Sequence, residues 1–93
     1  MIKKVELTAS LQKKIIKLPP QIQKKFRIWI KQIEIVGLEN VRKIKGYHDE
    51  PLTGDRLGQR SIRLNIAYRA FYIEISRNKI EIAEVSDINK HKY

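Results

Sequence analysis

Within one short chain the spacing of the apolar residues changes period. Ile22, Phe26, Trp29, Ile30, Ile33 and Val36 recur three or four apart, which lays them along one face of a helix. Beyond Gly46 the texture is different: the runs "RSIRLNI", "YRAFYIEIS" and "KIEIAEVS" are rich in isoleucine, tyrosine and phenylalanine and read as strands. At 93 residues a chain buries only about 60–65% of the surface it exposes when unfolded. The helical part and the strand part must therefore share a single core, and we expect one domain over residues 1–93.

The remaining segments order these pieces. "IKKVEL" alternates Ile2, Val5 and Leu7 with charged residues well enough for a short first strand. Thr8 or Ser10 can then cap a helix that runs to about Leu18, with Leu11, Ile15 and Leu18 at helical spacing. "PP" at 19–20 ends it, because a residue before proline is pushed out of the α region. Pro20 can itself open the next helix, since proline is tolerated in a first turn, and Gly37 suits its C-terminal end. "LENVRKIKG" allows one more helical turn, and "YHDEPLTGDRLG", with Pro51, Gly54 and Gly58, reads as a loop. The three strand runs, joined by short connections near 65–67 and 77–78, form an antiparallel meander. The expected fold is α+β in the order β-α-α-β-β-β, an antiparallel sheet with two helices packed on one face.

Composition narrows the partners. Twenty Lys and Arg against ten Asp and Glu give a net charge of +10, so an anionic partner is expected, nucleic acid first and an acidic protein second. No apolar run approaches the roughly 20 residues that span a bilayer, and "MIKKVELTAS" has no apolar stretch for a signal peptide, so the chain reads as cytoplasmic, with no membrane partner. Without cysteine there is neither a disulfide framework nor a thiolate zinc site, and the two histidines have no ligand spacing. We expect no metal and no cofactor.

In "RSIRLNI" a period of two sends Ile62, Leu64 and Ile66 to one face and Ser61, Arg63 and Asn65 to the other. That leaves Arg63 on the open face of the sheet. By the same rule Arg69 shares a face with Phe71, Ile73 and Ile75, the expected core side, so the two arginines meet only if a bulge or strand end reorients Arg69. Singly, either arginine is an ordinary solvated charge. Together they repel unless an anion lies between them, and a guanidinium fork matches phosphate oxygens bidentately. His91 has an ordinary pKa of about 6.5, which suits proton transfer near neutrality. Glu50 is either a general base or a plain loop carboxylate, and His91 and Tyr93 stand at a chain end of the kind that often frays.

The loop "EPLTGDRLGQRSIRL", the "YRAFY" strand and the terminal "HKY", in an order β-α-α-β-β-β, resemble the RelE/ParE superfamily of bacterial toxin–antitoxin toxins. Within it the chain looks most like the ribosome-dependent mRNA interferases of the HigB and YoeB type. The resemblance covers nearly the whole chain and is specific from about Gly46 onward. One departure is Lys92, which separates His91 from Tyr93 where YoeB-type chains have the two adjacent.

The resemblance implies metal-independent cleavage of mRNA in the ribosomal A site. By position it assigns Glu50 as candidate base, Arg63 and Arg69 as phosphate-binding groups, and His91 and Tyr93 as the terminal pair. His91 would be the acid for the leaving 5′-oxygen, or in its neutral form an alternative base, and Tyr93 would stack on or hydrogen-bond the RNA. Lys13, Lys14, Lys17, Lys24, Lys25, Arg27 and Arg60 would dock on ribosomal RNA through phosphate contacts or, individually, only solubilise the surface. A cognate antitoxin, acidic and partly disordered, is implied as partner, with the toxin monomeric alone and hetero-oligomeric with it. A ParE-like inhibitor of DNA gyrase that binds without catalysis is the alternative. A helix-turn-helix reading of the two helices fits the strand-rich second half poorly.

Overall fold

Thr8 ends the first strand and starts the first helix: its hydroxyl accepts the Leu11 amide at 3.2 Å. In this computed structural model, which describes residues 1–88, strand β1 (Lys4–Leu7) leads into helix α1 (Ala9–Lys14), and a single 3-10 turn at Ile15–Lys17 follows. Leu18 is extended ahead of Pro19, and Pro20 occupies the first turn of helix α2 (Pro20–Val36). Ile22, Phe26, Trp29 and Ile33 are buried along α2, whereas Val36, expected on the same stripe, is exposed in the last turn. Gly37 closes α2 at φ +88°, and a Cβ there would collide with the Met1 side chain. Both conditions favour glycine. Helix α3 (Leu38–Val41) follows at once, and the Leu38 amide donates to the Ile2 carbonyl at 2.8 Å.

The sheet runs β1-β5-β4-β3-β2, with β2 at Glu50–Pro51, β3 at Arg60–Arg63, β4 at Tyr68–Ser76 and β5 at Lys79–Asp87. The fold is α+β, with the helices on one face. The sheet is nevertheless mixed rather than wholly antiparallel, because β1 pairs parallel to β5, Val5 opposite Ile80 and Leu7 opposite Ile82. Alternation fixes which face a strand buries and carries no direction. Direction here follows from the cap: α1 must emerge beside the later half of β5, against which it packs, and only a β1 that runs with β5 delivers Thr8 there. The Thr8 amide donates to the Ile82 carbonyl at 3.1 Å.

The segment read as a loop supplies a fifth strand, the two-residue β2, antiparallel to β3. Pro51 is tolerated there because β2 is an edge strand. β3 in turn is shorter than expected. After Arg63 the chain turns, the Asn65 side-chain oxygen accepts the Ala67 and Tyr68 amides at 2.8 Å each, and Ile66 stands 87% exposed at the tip.

On β4 Ala70 and Tyr72 join the helix-side core, with Tyr68 partly covered against it, whereas Ile73 and Ile75 are exposed. The phase is opposite to that expected from apolar content. The Tyr72 ring lies 5.5 Å from that of Trp29, which in turn stacks on Phe26 at 6.3 Å, and these rings form the centre of the core. On β5 a bulge between the pairs Phe71–Glu84 and Tyr72–Ile82 leaves Ala83 unopposed. Val85, Ile82 and Ile80 can therefore all face the helices despite their uneven spacing. Among the described residues no helix is long and apolar enough to cross a membrane.

Candidate active site on the open face of the sheet

The β3–β4 ladder sets Arg63 directly opposite Arg69. Directly opposed residues in an antiparallel pair project to the same face, with Cβ atoms about 4.5–5.5 Å apart. The expected conflict of parity therefore does not arise: the inverted phase of β4 that buries Ala70 and Tyr72 turns Arg69 to the face that carries Arg63. No bulge at Arg69 is needed. The same ladder places Glu50 opposite Ser61, Ser61 opposite Phe71, and Phe71 opposite Glu84, while Arg69 also faces Ser86 on β5. Two neighbouring rows result, one with Glu50 at its end and one with the arginine pair.

The electrostatics agree with this layout. Burial chiefly, and then the neighbouring Arg63, push the Arg69 guanidinium below its usual pKa, and Glu50 opposes that shift. Glu50 is thus near enough to be felt by Arg69. Arg69 is steadied by the carbonyls of Asn65 and Tyr68, which accept from Nη1 at 2.9 and 3.3 Å. Arg63 is held differently: its Nε is buried and has no hydrogen-bond partner among the described residues. A buried guanidinium donor in that condition favours an incoming acceptor.

A third arginine joins the pair. Arg56, in a 3-10 turn at Gly54–Arg56, lays its guanidinium 4.0 Å over the Phe71 ring and reaches Glu84 at 2.5 Å and Gln59 at 3.0 Å. It roofs Phe71, which explains how a phenylalanine on the open face is only 9% exposed. By residue type alone Arg56 is not distinguished from other loop charges. Its only local signal was its place in "TGDRLGQRSIR", the stretch that leads into the Arg63 strand.

Arg60, expected among the RNA-binding residues, is engaged on the other side of the sheet. Its Nε donates to Asp49 Oδ1 at 2.6 Å, and the Asp49 side chain is 1% exposed. The Tyr72 hydroxyl donates to the other Asp49 oxygen at 2.5 Å and accepts from Arg42 Nε at 3.2 Å, and Arg42 Nη2 pairs with Glu74 at 2.6 Å. Burial, and then the Asp49 acceptor, push the Tyr72 phenol well above its ordinary range.

Lys13, Lys14, Lys17, Lys24, Lys25 and Arg27 are exposed on the helix layer. Lys14 and Lys17 border a cleft of about 650 Å³ between α1 and β5 together with Tyr68 and Ser86. Lys25 stacks over Tyr47, 5.4 Å from the ring centroid. His91 and Tyr93 lie outside the described residues.

No protein-family model and no curated protein sequence matches the chain. Solved structures do. Among them are a chain of the YoeB–YefM complex from Staphylococcus aureus, 20% identical, with a TM-score of 0.68 over 89% of this chain and 93% of that one. Another belongs to the archaeal RelE–RelB complex from Pyrococcus horikoshii OT3, 21% identical, with a TM-score of 0.67 over 97% and 99%. A third belongs to a toxin–antitoxin complex from Mycobacterium tuberculosis, 20% identical, with a TM-score of 0.63 over 94% and 99%. The fold of this chain is therefore the RelE-like fold, shared over nearly its whole length.

Proposed function

We propose that the chain is the toxin of a type II toxin–antitoxin system: a metal-independent endoribonuclease of the cytoplasm that cuts mRNA in the ribosomal A site and so inhibits translation. The observation that carries this reading is the cross-strand arginine pair, Arg63 opposite Arg69, with Glu50 in the next row. Two guanidiniums that repel each other on an open sheet face become mutually compatible when a phosphodiester lies across them.

In that arrangement Glu50 takes the proton of the ribose 2′-OH and the 2′-oxygen bonds to phosphorus. Arg63 and Arg69 stabilise the pentacoordinate phosphorane as the bond to the 5′-oxygen breaks. The leaving oxygen takes a proton from His91. The products are a 2′,3′-cyclic phosphate, which water can open to a 3′-phosphate, and a 5′-OH, and Tyr93 stacks on or hydrogen-bonds the RNA. The exposed lysines of α1 and α2 dock on ribosomal RNA, a dense polyanion. Structures of the same fold occur in complexes with YefM and RelB. Together with the net charge of +10, this supports an acidic, partly disordered antitoxin as partner, the toxin being monomeric without it.

The test is the integrity of a reporter mRNA in a bacterial translation extract given the purified protein, beside Arg63→Ala, Glu50→Gln and His91→Ala variants and a ribosome-free lane. Cleavage that needs ribosomes and falls by about 100-fold or more in the Arg63 variant supports the reading. Intact mRNA with the wild-type protein refutes it and brings forward the gyrase-binding, non-catalytic alternative.

A further inference from the structure

Strand β2 has two residues and one neighbour, and its second residue is a proline. So short an edge strand has little backbone pairing to fix its register, and a slip of one residue would turn Glu50 to the helix-facing side and Asp49 outward. The chain carries two adjacent carboxylates at this point, so register decides which of them meets the arginine pair. We propose that Asp49 is a positioning residue: its buried carboxylate, held by Arg60 and Tyr72, locks β2 in register and thereby sets Glu50 on the open face beside Arg63 and Arg69. The inference rests on the functional reading above for its catalytic consequence, and on geometry alone for the lock itself.

The geometry is specific. Arg60 and Tyr72 are directly opposed on β3 and β4, so the two oxygens of Asp49 are tied to both of the strands that carry the arginine pair. Arg42 Nε stands 3.9 Å from the same carboxylate and donates to the Tyr72 hydroxyl. Alternation along the chain then leaves Glu50 no choice of face. A buried ion pair of this kind is weak evidence for stability, since well-packed apolar groups often serve as well. Fixing register is its best-attested use.

Two variants test it. Tyr72→Phe removes one donor and keeps the ring against Trp29, and Asp49→Asn keeps the shape and removes the charge. The first readout is hydrogen exchange of the Leu52 amide, which donates to the Gln59 carbonyl at 2.9 Å as the chain leaves β2. It should exchange about tenfold faster in both variants, while amides of β4 and β5 hold. The second is single-turnover cleavage on programmed ribosomes: the rate should drop by about 100-fold, the effect of misplacing a reacting group, with the half-saturating protein concentration unchanged. In a Glu50→Gln background Tyr72→Phe should cost nothing further, because its effect runs through Glu50. Unchanged Leu52 exchange overturns the proposal, and so does an equal loss of rate in both backgrounds. A wild-type protein that leaves mRNA intact defeats the functional reading alone, and Leu52 exchange then decides the lock by itself.

Discussion

Arg60 and Arg63 stand at the two ends of the four-residue strand β3, yet their substitutions should have opposite signatures. Arg63 faces Arg69, so its removal relieves a like-charge contact. We expect Arg63→Ala to keep or slightly raise the melting temperature while cleavage falls by about 100- to 1,000-fold, the loss typical of a removed transition-state donor. Arg63→Lys should not restore cleavage, because an ammonium lacks the bidentate fork. Arg60→Ala leaves the Asp49 carboxylate, 1% exposed, short of its nearest cation. It should cost about 1–3 kcal/mol, read as a lower urea midpoint. Equal stability losses at the two positions would contradict this division of labour. Glu50, Arg63 and Arg69 stood out in the sequence as candidates by residue type and by the resemblance of the stretch that holds them, although the spacing of the two arginines argued against their sharing a face. Arg56 and the engagement of Arg60 did not, because Phe71, Glu84 and Asp49 reach them only through the tertiary fold.

At the level of elements, the sequence shows where strands lie better than it shows how they sit. "YRAFYIEIS" is apolar in both phases: Phe71, Ile73 and Ile75 in one, Tyr68, Ala70 and Tyr72 in the other. Apolar content favours the first phase, and the chain buries the second, since Tyr72 both packs on Trp29 and bonds to Asp49. The direction of β1 and the existence of β2 escaped for a related reason, as both are set by what the strand lies beside. Substitution separates the phases: Ile73→Thr and Ile75→Thr should each change stability by no more than about 0.5 kcal/mol, whereas Trp29→Ala should cost about 3–5 kcal/mol, both measured by urea unfolding. The Tyr72 phenol adds a dependence on pH. Its pKa is raised in the folded chain from an ordinary 10.0, by burial first and the Asp49 acceptor second, so the folded state holds that proton more tightly than the unfolded state. The contribution is complete below the ordinary value and is lost as pH climbs from there toward the folded one. The stability advantage of wild type over Tyr72→Phe should be level from pH 7 to about 9 and shrink above about 10. An advantage that stays constant to the top of that range would mean that Tyr72 is not the buried donor described.

For the molecule as a whole, a net charge of +10 is spread over two faces with different work to do. The arginines of the open face are few and partly buried, Arg69 tied to carbonyls and Arg56 to a carboxylate while the Arg63 Nε has no partner among the described residues, which suits contact with one phosphodiester. The lysines of α1 and α2 are exposed on the helix layer, where they can neutralise phosphates of a large polyanion and release its counterions. Affinity carried in that way falls linearly with the logarithm of salt, by a slope of about 0.7–0.9 per phosphate neutralised. Binding to ribosomes should therefore weaken steeply between low and physiological salt. Replacing Lys13, Lys14 and Lys17 together by glutamine should reduce the slope by about two to three and lower affinity without altering the single-turnover rate at saturation. Arg63→Ala should do the reverse, sparing most of the slope and removing the rate. Titration of ribosomes at four or five salt concentrations, with saturating-turnover cleavage on the same samples, separates these effects. If the triple lysine variant keeps the wild-type slope, the helix layer only keeps the chain in solution, and docking must be carried by the open face that is also proposed to cut.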